Sequence, residues 1–158
     1  MRGLISLTVV SVCVALSACV STTQHQLTIS DNDDATYRHI TLNNGLAVVL
    51  VSDESTQKAA VSLDVYVGSG HDPKAFMGLA HFLEHMLFLG TEKYPQSGEY
   101  QSFISANGGG HNAFTGFEHT NYFFDIAAES LEPALDRLAQ FFSAPVFNAE
   151  CVQREVYA

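Results

Sequence analysis

Between Gly78 and Leu89 the chain switches its hydrophobic period. Leu79, Phe82, Leu83, Leu87 and Phe88 recur at spacings of three and four, which predicts a largely buried helix. The same stretch carries His81, Glu84 and His85. Residues four apart on a helix lie one turn apart on one face, so His81 and His85 point at a common spot. Two neighbouring imidazoles among leucines need a partner, because a buried polar group left unpaired is costly.

A single metal ion is the partner that this spacing suits. Two imidazoles at that separation fit zinc, with metal–nitrogen distances of about 2.0–2.1 Å. Glu84 shares roughly the same face. Its better role is general base, taking a proton from water as the water attacks a carbonyl that the metal polarises.

The other elements follow from pattern and punctuation. Tyr37 to Leu42 and Leu46 to Val51 flank Asn43-Asn44-Gly45 and predict a hairpin. Ala60 to Val67 reads as a strand, with Leu63, Val65 and Val67 on one side and Ser62, Asp64 and Tyr66 on the other. Gly98 to Ala106 predicts a helix that turns Tyr100, Phe103 and Ile104 inward and stops at Asn107-Gly108. His111 to Thr115 and Thr120 to Ile126 read as two strands joined by a short turn. Ser130 is placed to cap a third helix with an apolar stripe of Leu131, Leu135, Leu138 and Phe142, ending at Pro145. Asn148 is placed to cap one more, from Ala149 to the last residue. Strands and helices mix without regular βαβ alternation. The expected class is α+β, a mostly antiparallel sheet with helices packed on one face, and an incomplete first domain of a larger protein.

Composition narrows the function. Hydrophobic residues are 47% and charged residues 15%, which fits a folded domain. The net charge is −10 and every Asp and Glu lies at or beyond Asp31, so no basic stripe exists for nucleic acid. Before that point, Arg2 and the apolar run from Leu4 to Ala18 match a secretory signal, closing on Leu16-Ser17-Ala18-Cys19. That ending resembles the lipobox of bacterial lipoproteins. It implies a signal peptide over residues 1–18, a lipid on Cys19 that tethers the protein to a membrane, and a flexible tether over 19–36. The domain proper then occupies 37–158. Val20 after the Cys favours the outer membrane, with the protein facing the periplasm. Asp33 and Asp34 read as a solvated part of the tether. Cys151 is then a lone thiol with no redox partner.

The run Gly78 to Pro95, with His81-Phe82-Leu83-Glu84-His85 inside it, resembles the signature of the insulinase/pitrilysin peptidases, the inverzincins. The likeness continues through Gly98-Glu99-Tyr100, Asn112-Ala113-Phe114-Thr115 and Glu118-His119-Thr120-Asn121-Tyr122. It implies a zinc-dependent endopeptidase with one Zn2+, held by His81 and His85, with Glu84 as general base. It also implies a third ligand, a Glu, beyond Ala158, and places Glu155 behind the site, orienting a ligand histidine. Substrate is expected to add as an extended strand along His111 to Thr115, lined by Asn112 and Ala113, with Phe88 as a wall beside the scissile bond. His71, His111 and His119 read as surface or packing residues rather than ligands. The resemblance makes this chain the front part of an active enzyme. The alternatives are a non-catalytic binding or scaffold subunit of the same fold, or a half-enzyme that needs a partner chain.

Overall fold

Asn43-Asn44-Gly45 reverses the chain as its residue types require. Gly45 sits at φ +88°, a left-handed conformation that glycine adopts without penalty, and Asn44 Oδ1 accepts from the Leu46 amide at 3.1 Å. The structure, a computed structural model, describes residues 28–156. These form two compact units, one ending at Glu54 and the other beginning at Ser55.

The first unit is the hairpin of β1 (Thr36–Thr41) and β2 (Ala47–Ser52), antiparallel with Thr36 opposite Ser52 and Thr41 opposite Ala47. Asp33 is more than a solvated linker residue. Its carboxylate accepts from the Ala35 amide at 3.0 Å and the Tyr37 hydroxyl at 2.7 Å, fastening the entry to β1.

In the second unit, β3 (Lys58–Val65) is followed by α1 (Leu79–Leu87) and α2 (Glu99–Ala106). Then come β4 (Gly110–Thr115), β5 (Thr120–Ala127), α3 (Leu131–Ser143) and α4 (Ala149–Val156). The three strands make one antiparallel sheet in the order β3-β5-β4, so β4 is an edge. The central strand alternates cleanly. Thr120, Tyr122, Phe124 and Ile126 are buried toward the helices, where Leu87, Tyr100, Ile104, Ala134, Leu138 and Phe141 complete the core. Each such large apolar side chain contributes about 1.5–3 kcal/mol by leaving water. The opposite face is exposed and mixed, with polar side chains beside Phe114 and Phe123. Lys58 pairs with Asp125 across it, and Asn121 bonds both Ser62 and Asp64. The α+β class with helices on one face is therefore observed, with the strands divided between the hairpin and this sheet.

Two helices differ from their predicted faces. In α1, Leu79 and Leu83 are exposed while Glu84, Met86 and Leu87 are buried, so the helix meets the sheet along a face that includes a carboxylate. In α3 the buried stripe is Ala134, Leu138 and Phe141, and Leu135 and Phe142 lie outside it. Both stripes have helical spacing. The choice is made by Arg137, whose guanidinium stacks 3.7 Å from the Phe103 ring centre and 4.3 Å from that of Tyr94 while it binds Glu99 at 2.7 Å. Ser130 stands at the start of α3, but its hydroxyl donates to Asn107 Oδ1 at 2.8 Å rather than capping. Val67 lies beyond β3 and is exposed. Asn148 does cap α4, accepting from the Glu150 amide at 2.8 Å.

Candidate metal and catalytic site

α1 is positioned at its start by residues far from its motif. Gly68, Ser69 and Gly70 lie against the β4–β5 turn, with the Ser69 amide on Gly116 O at 2.9 Å and the Gly70 amide on Phe117 O at 2.8 Å. A Cβ on Gly68 would come within 2.4 Å of Gly116 O, so only glycine fits there. This contact presents Asp72, whose two carboxylate oxygens accept from the Gly78 amide at 2.7 Å and the Ala80 amide at 2.9 Å. Those are orphan donors of the helix N-terminus, satisfied from six residues upstream of the cap. Sequence reasoning missed Asp72, because the usual capping signal is local.

On α1 the two imidazoles converge. His81 Nε2 and His85 Nε2 are 3.2 Å apart, and the ligand atoms of His81, Glu84 and His85 all lie within 4.8 Å of one another. Two nitrogens bound tetrahedrally to one zinc at about 2.05 Å would be separated by roughly 3.3 Å. The donor set and its spacing thus fit that ion. α4 packs beside α1 and brings Glu155 Oε2 to 3.1 Å from His85 Nδ1. A carboxylate there accepts the Nδ1 proton and leaves Nε2 with its lone pair directed at the metal position.

Glu84 is held differently. It is 6% exposed, and one of its oxygens accepts from the Thr115 hydroxyl on β4. Thr120 lies 3.5 Å from Thr115, but its own proton goes to Val67 O at the shorter 2.8 Å. Thr115 therefore spends its proton on Glu84, which fixes that carboxylate as an acceptor. Thr115 was expected only as part of the substrate-pairing strand, since a partner thirty-one positions away leaves no local signal. The buried carboxylate acts in turn on Tyr122, whose hydroxyl is pushed up to about 12, first by burial and then by the Glu84 charge.

An open cavity of about 260 Å³ adjoins these groups. Glu84, His85, Phe88, Asn112, Ala113 and Glu155 all line it, so α1, β4 and α4 bring six expected site residues to one place. Phe88 is at once wall and core, with Phe141 5.2 Å away and Tyr100 5.8 Å away between ring centres. On β4, the Ala113 amide takes Asn112 Oδ1 at 2.9 Å. Of the remaining histidines, His71 accepts from the Gly68 amide at 3.2 Å, and His119 packs on Phe114 at 5.7 Å. His111 packs between Phe88 and Tyr100, with ring centres 5.6 and 5.3 Å away, and lines the cavity together with Gln101.

The fold and the site define a peptidase class that comparison with known proteins names. The chain belongs to the insulinase family of peptidases (family M16), whose model matches residues 47–158 and whose enzymes use zinc. Insulin-degrading enzyme of Bos taurus is 53% identical over 134 residues, covering 85% of this chain and 13% of that protein. The peroxisomal insulin-degrading enzyme-like 1 of Arabidopsis thaliana is 50% identical over 126 residues, 80% of this chain and 13% of that protein. The crystal structure of pitrilysin superposes with a TM-score of 0.81 at 39% identity, over 85% of this chain and 14% of that one. The chain thus spans about 13% of the length of the curated relatives it matches.

These relatives correct the expected location. They come from an animal and a plant, one is peroxisomal by name, and neither is described as a bacterial lipoprotein, so a periplasm-facing outer-membrane placement does not stand. The expected signal peptide over residues 1–18 and the expected lipid on Cys19 fall outside the described residues. Among the described residues no helix is long and apolar enough to cross a membrane.

Proposed function

We propose that this chain supplies the His81, Glu84 and His85 portion of a zinc endopeptidase centre that hydrolyses extended peptides. The observation that carries the reading is the 3.2 Å convergence of the two Nε2 atoms with Glu155 behind one of them. In this reading His81 and His85 hold one zinc, and Glu155 orients His85. The third protein ligand is a Glu outside the described residues, on a longer form of the chain or on a partner chain.

When bound, zinc would polarise the scissile carbonyl and make the attacking water more acidic. Glu84 takes the proton from that water and later delivers it to the departing amine. Thr115 keeps the Glu84 carboxylate in one rotamer for both transfers. The open edge of β4 at Asn112 and Ala113 offers backbone groups to a substrate strand, and Phe88 walls the adjacent cavity. Pairing at Ala113 requires the Asn112 side chain to give up the amide it now covers.

Zinc content of the purified chain after dialysis tests the site. One equivalent in the wild type and none in His81→Ala supports it. Equal zinc in both would refute the ligand assignment.

A further inference from the structure

Two of the three motif residues on α1 are held from other elements. Glu84 takes the Thr115 hydroxyl from β4, and His85 has Glu155 of α4 behind it. His81 stands on the third residue of the helix, so its place follows from the backbone of the first turn. That turn carries no capping signal of its own. Its N-cap is Gly78, at φ +92° and without a side chain, and no acidic residue lies in its first turn. The approach from Pro73 to Leu79 is exposed, Phe76 and Met77 included, so burial does little to hold it. Asp72 supplies what the turn lacks, because its two oxygens accept from the Gly78 and Ala80 amides, the second of them next to His81. Asp72 follows directly on Gly68 to His71, where the Ser69 and Gly70 amides are bonded to Gly116 O and Phe117 O. Thr115 immediately precedes that turn, so Glu84 and the start of α1 are both referred to one end of the sheet.

We propose that Asp72 is a positioning residue of the metal site, keeping the first turn of α1 formed so that His81 Nε2 converges on His85 Nε2. This rests on the zinc reading above. A ligand on a frayed turn meets the metal only in the fraction of molecules whose turn is formed, and the apparent dissociation constant rises by the inverse of that fraction. Such a turn opens locally while the core stays folded. Zinc affinity therefore depends on Asp72 in a way that overall stability does not.

Amide exchange followed by NMR reads the turn without metal. In Asp72→Ala the Ala80 and Phe82 amides are expected to exchange about tenfold faster than in the wild type, while those from His85 to Phe88 keep their rates. Competition with a chromophoric chelator then reads zinc. Asp72→Ala is expected to weaken affinity about fivefold, and Asp72→Asn, which keeps one acceptor, about twofold. Leu138→Ala, in the core on α3, is the control. It is expected to lower the thermal midpoint further than Asp72→Ala does and to leave zinc affinity at the wild-type value. A matching zinc loss in Leu138→Ala would make Asp72 a structural residue only and overturn the assignment. Unchanged exchange in Asp72→Ala, or wild-type zinc affinity beside raised exchange, would overturn it as well. If Asp72→Ala does not fold, Asp72→Asn decides by the same comparison. A wild type that holds no zinc would refute the metal reading and the role of Asp72 with it, whereas normal zinc in the wild type and in Asp72→Ala would refute Asp72 alone.

Discussion

Glu155 offers the sharpest test of the site, because its contribution is worked from one contact. Its carboxylate lies 3.1 Å from His85 Nδ1, with the Glu155 side chain 23% exposed and that of His85 49% exposed. A hydrogen bond to a charged group contributes about 1.5–3 kcal/mol and a neutral one about 0.5–1.5 kcal/mol. Glu155→Gln keeps an acceptor of the same shape and loses the charge. Partial exposure puts the difference near the low end, about 1 kcal/mol, or roughly fivefold in zinc affinity. Glu155→Ala removes the acceptor, and an orienting partner of a metal-bound histidine is typically worth about 10–100-fold. Competition with a chromophoric chelator at fixed pH measures both. Glu150→Gln, on the first turn of the same helix, is the control and is expected to match the wild type. Wild-type affinity in Glu155→Ala would refute the orienting role. A loss beyond roughly 1,000-fold in both variants would refute it from the other side, by making Glu155 a ligand.

Three further outcomes are expected. Thr115→Val leaves the buried Glu84 oxygen unpaired at a cost of about 1–3 kcal/mol, lowering the thermal midpoint by roughly 4 °C or more, and Thr115→Ser restores it; an unchanged melt in Thr115→Val would remove Thr115 from the site. Leu138→Ala, at a position 1% exposed, is expected to cost about 2–5 kcal/mol by urea titration, while Leu135→Ala, 45% exposed, costs under about 1 kcal/mol; comparable large costs at both positions would restore the predicted stripe, which holds both. His111 has a folded pKa below its ordinary 6.5, so its stabilising effect is complete above pH 6.5 and is lost as pH falls toward the folded value. Stability measured down from pH 7 is therefore expected to drop more steeply in the wild type than in His111→Phe. Parallel curves would show that the ring is not held neutral by the fold.

Much of the site was legible because its chemistry is local. His81 and His85 are one helical turn apart, so a metal pair follows from the spacing as soon as the helix does. Turn residues at Gly45 and Gly108 and the cap at Asn148 were equally local, and the structure keeps them. What the sequence left open was the rotation of each helix about its own axis. Leu135 and Phe142 have the same spacing as Ala134 and Phe141, and local pattern weighs them equally. Arg137, clamped by Glu99 and stacked on Phe103 and Tyr94, favours one over the other through partners on α2 and the segment that precedes it. The same holds in α1, where the leucines at 79 and 83 face outward because Glu84 turns inward to Thr115.

The sequence alone placed most of the elements, the pairing of His81 with His85 on one helix face, and the resemblance to the family. Tertiary structure decided which of the two histidines Glu155 stands behind, which hydroxyl holds Glu84, and that Gln101 and His111 line one cavity. Those contacts join α1, α2, β4 and α4, and long-range pairing follows from packing the whole core rather than from the spacing within any one segment.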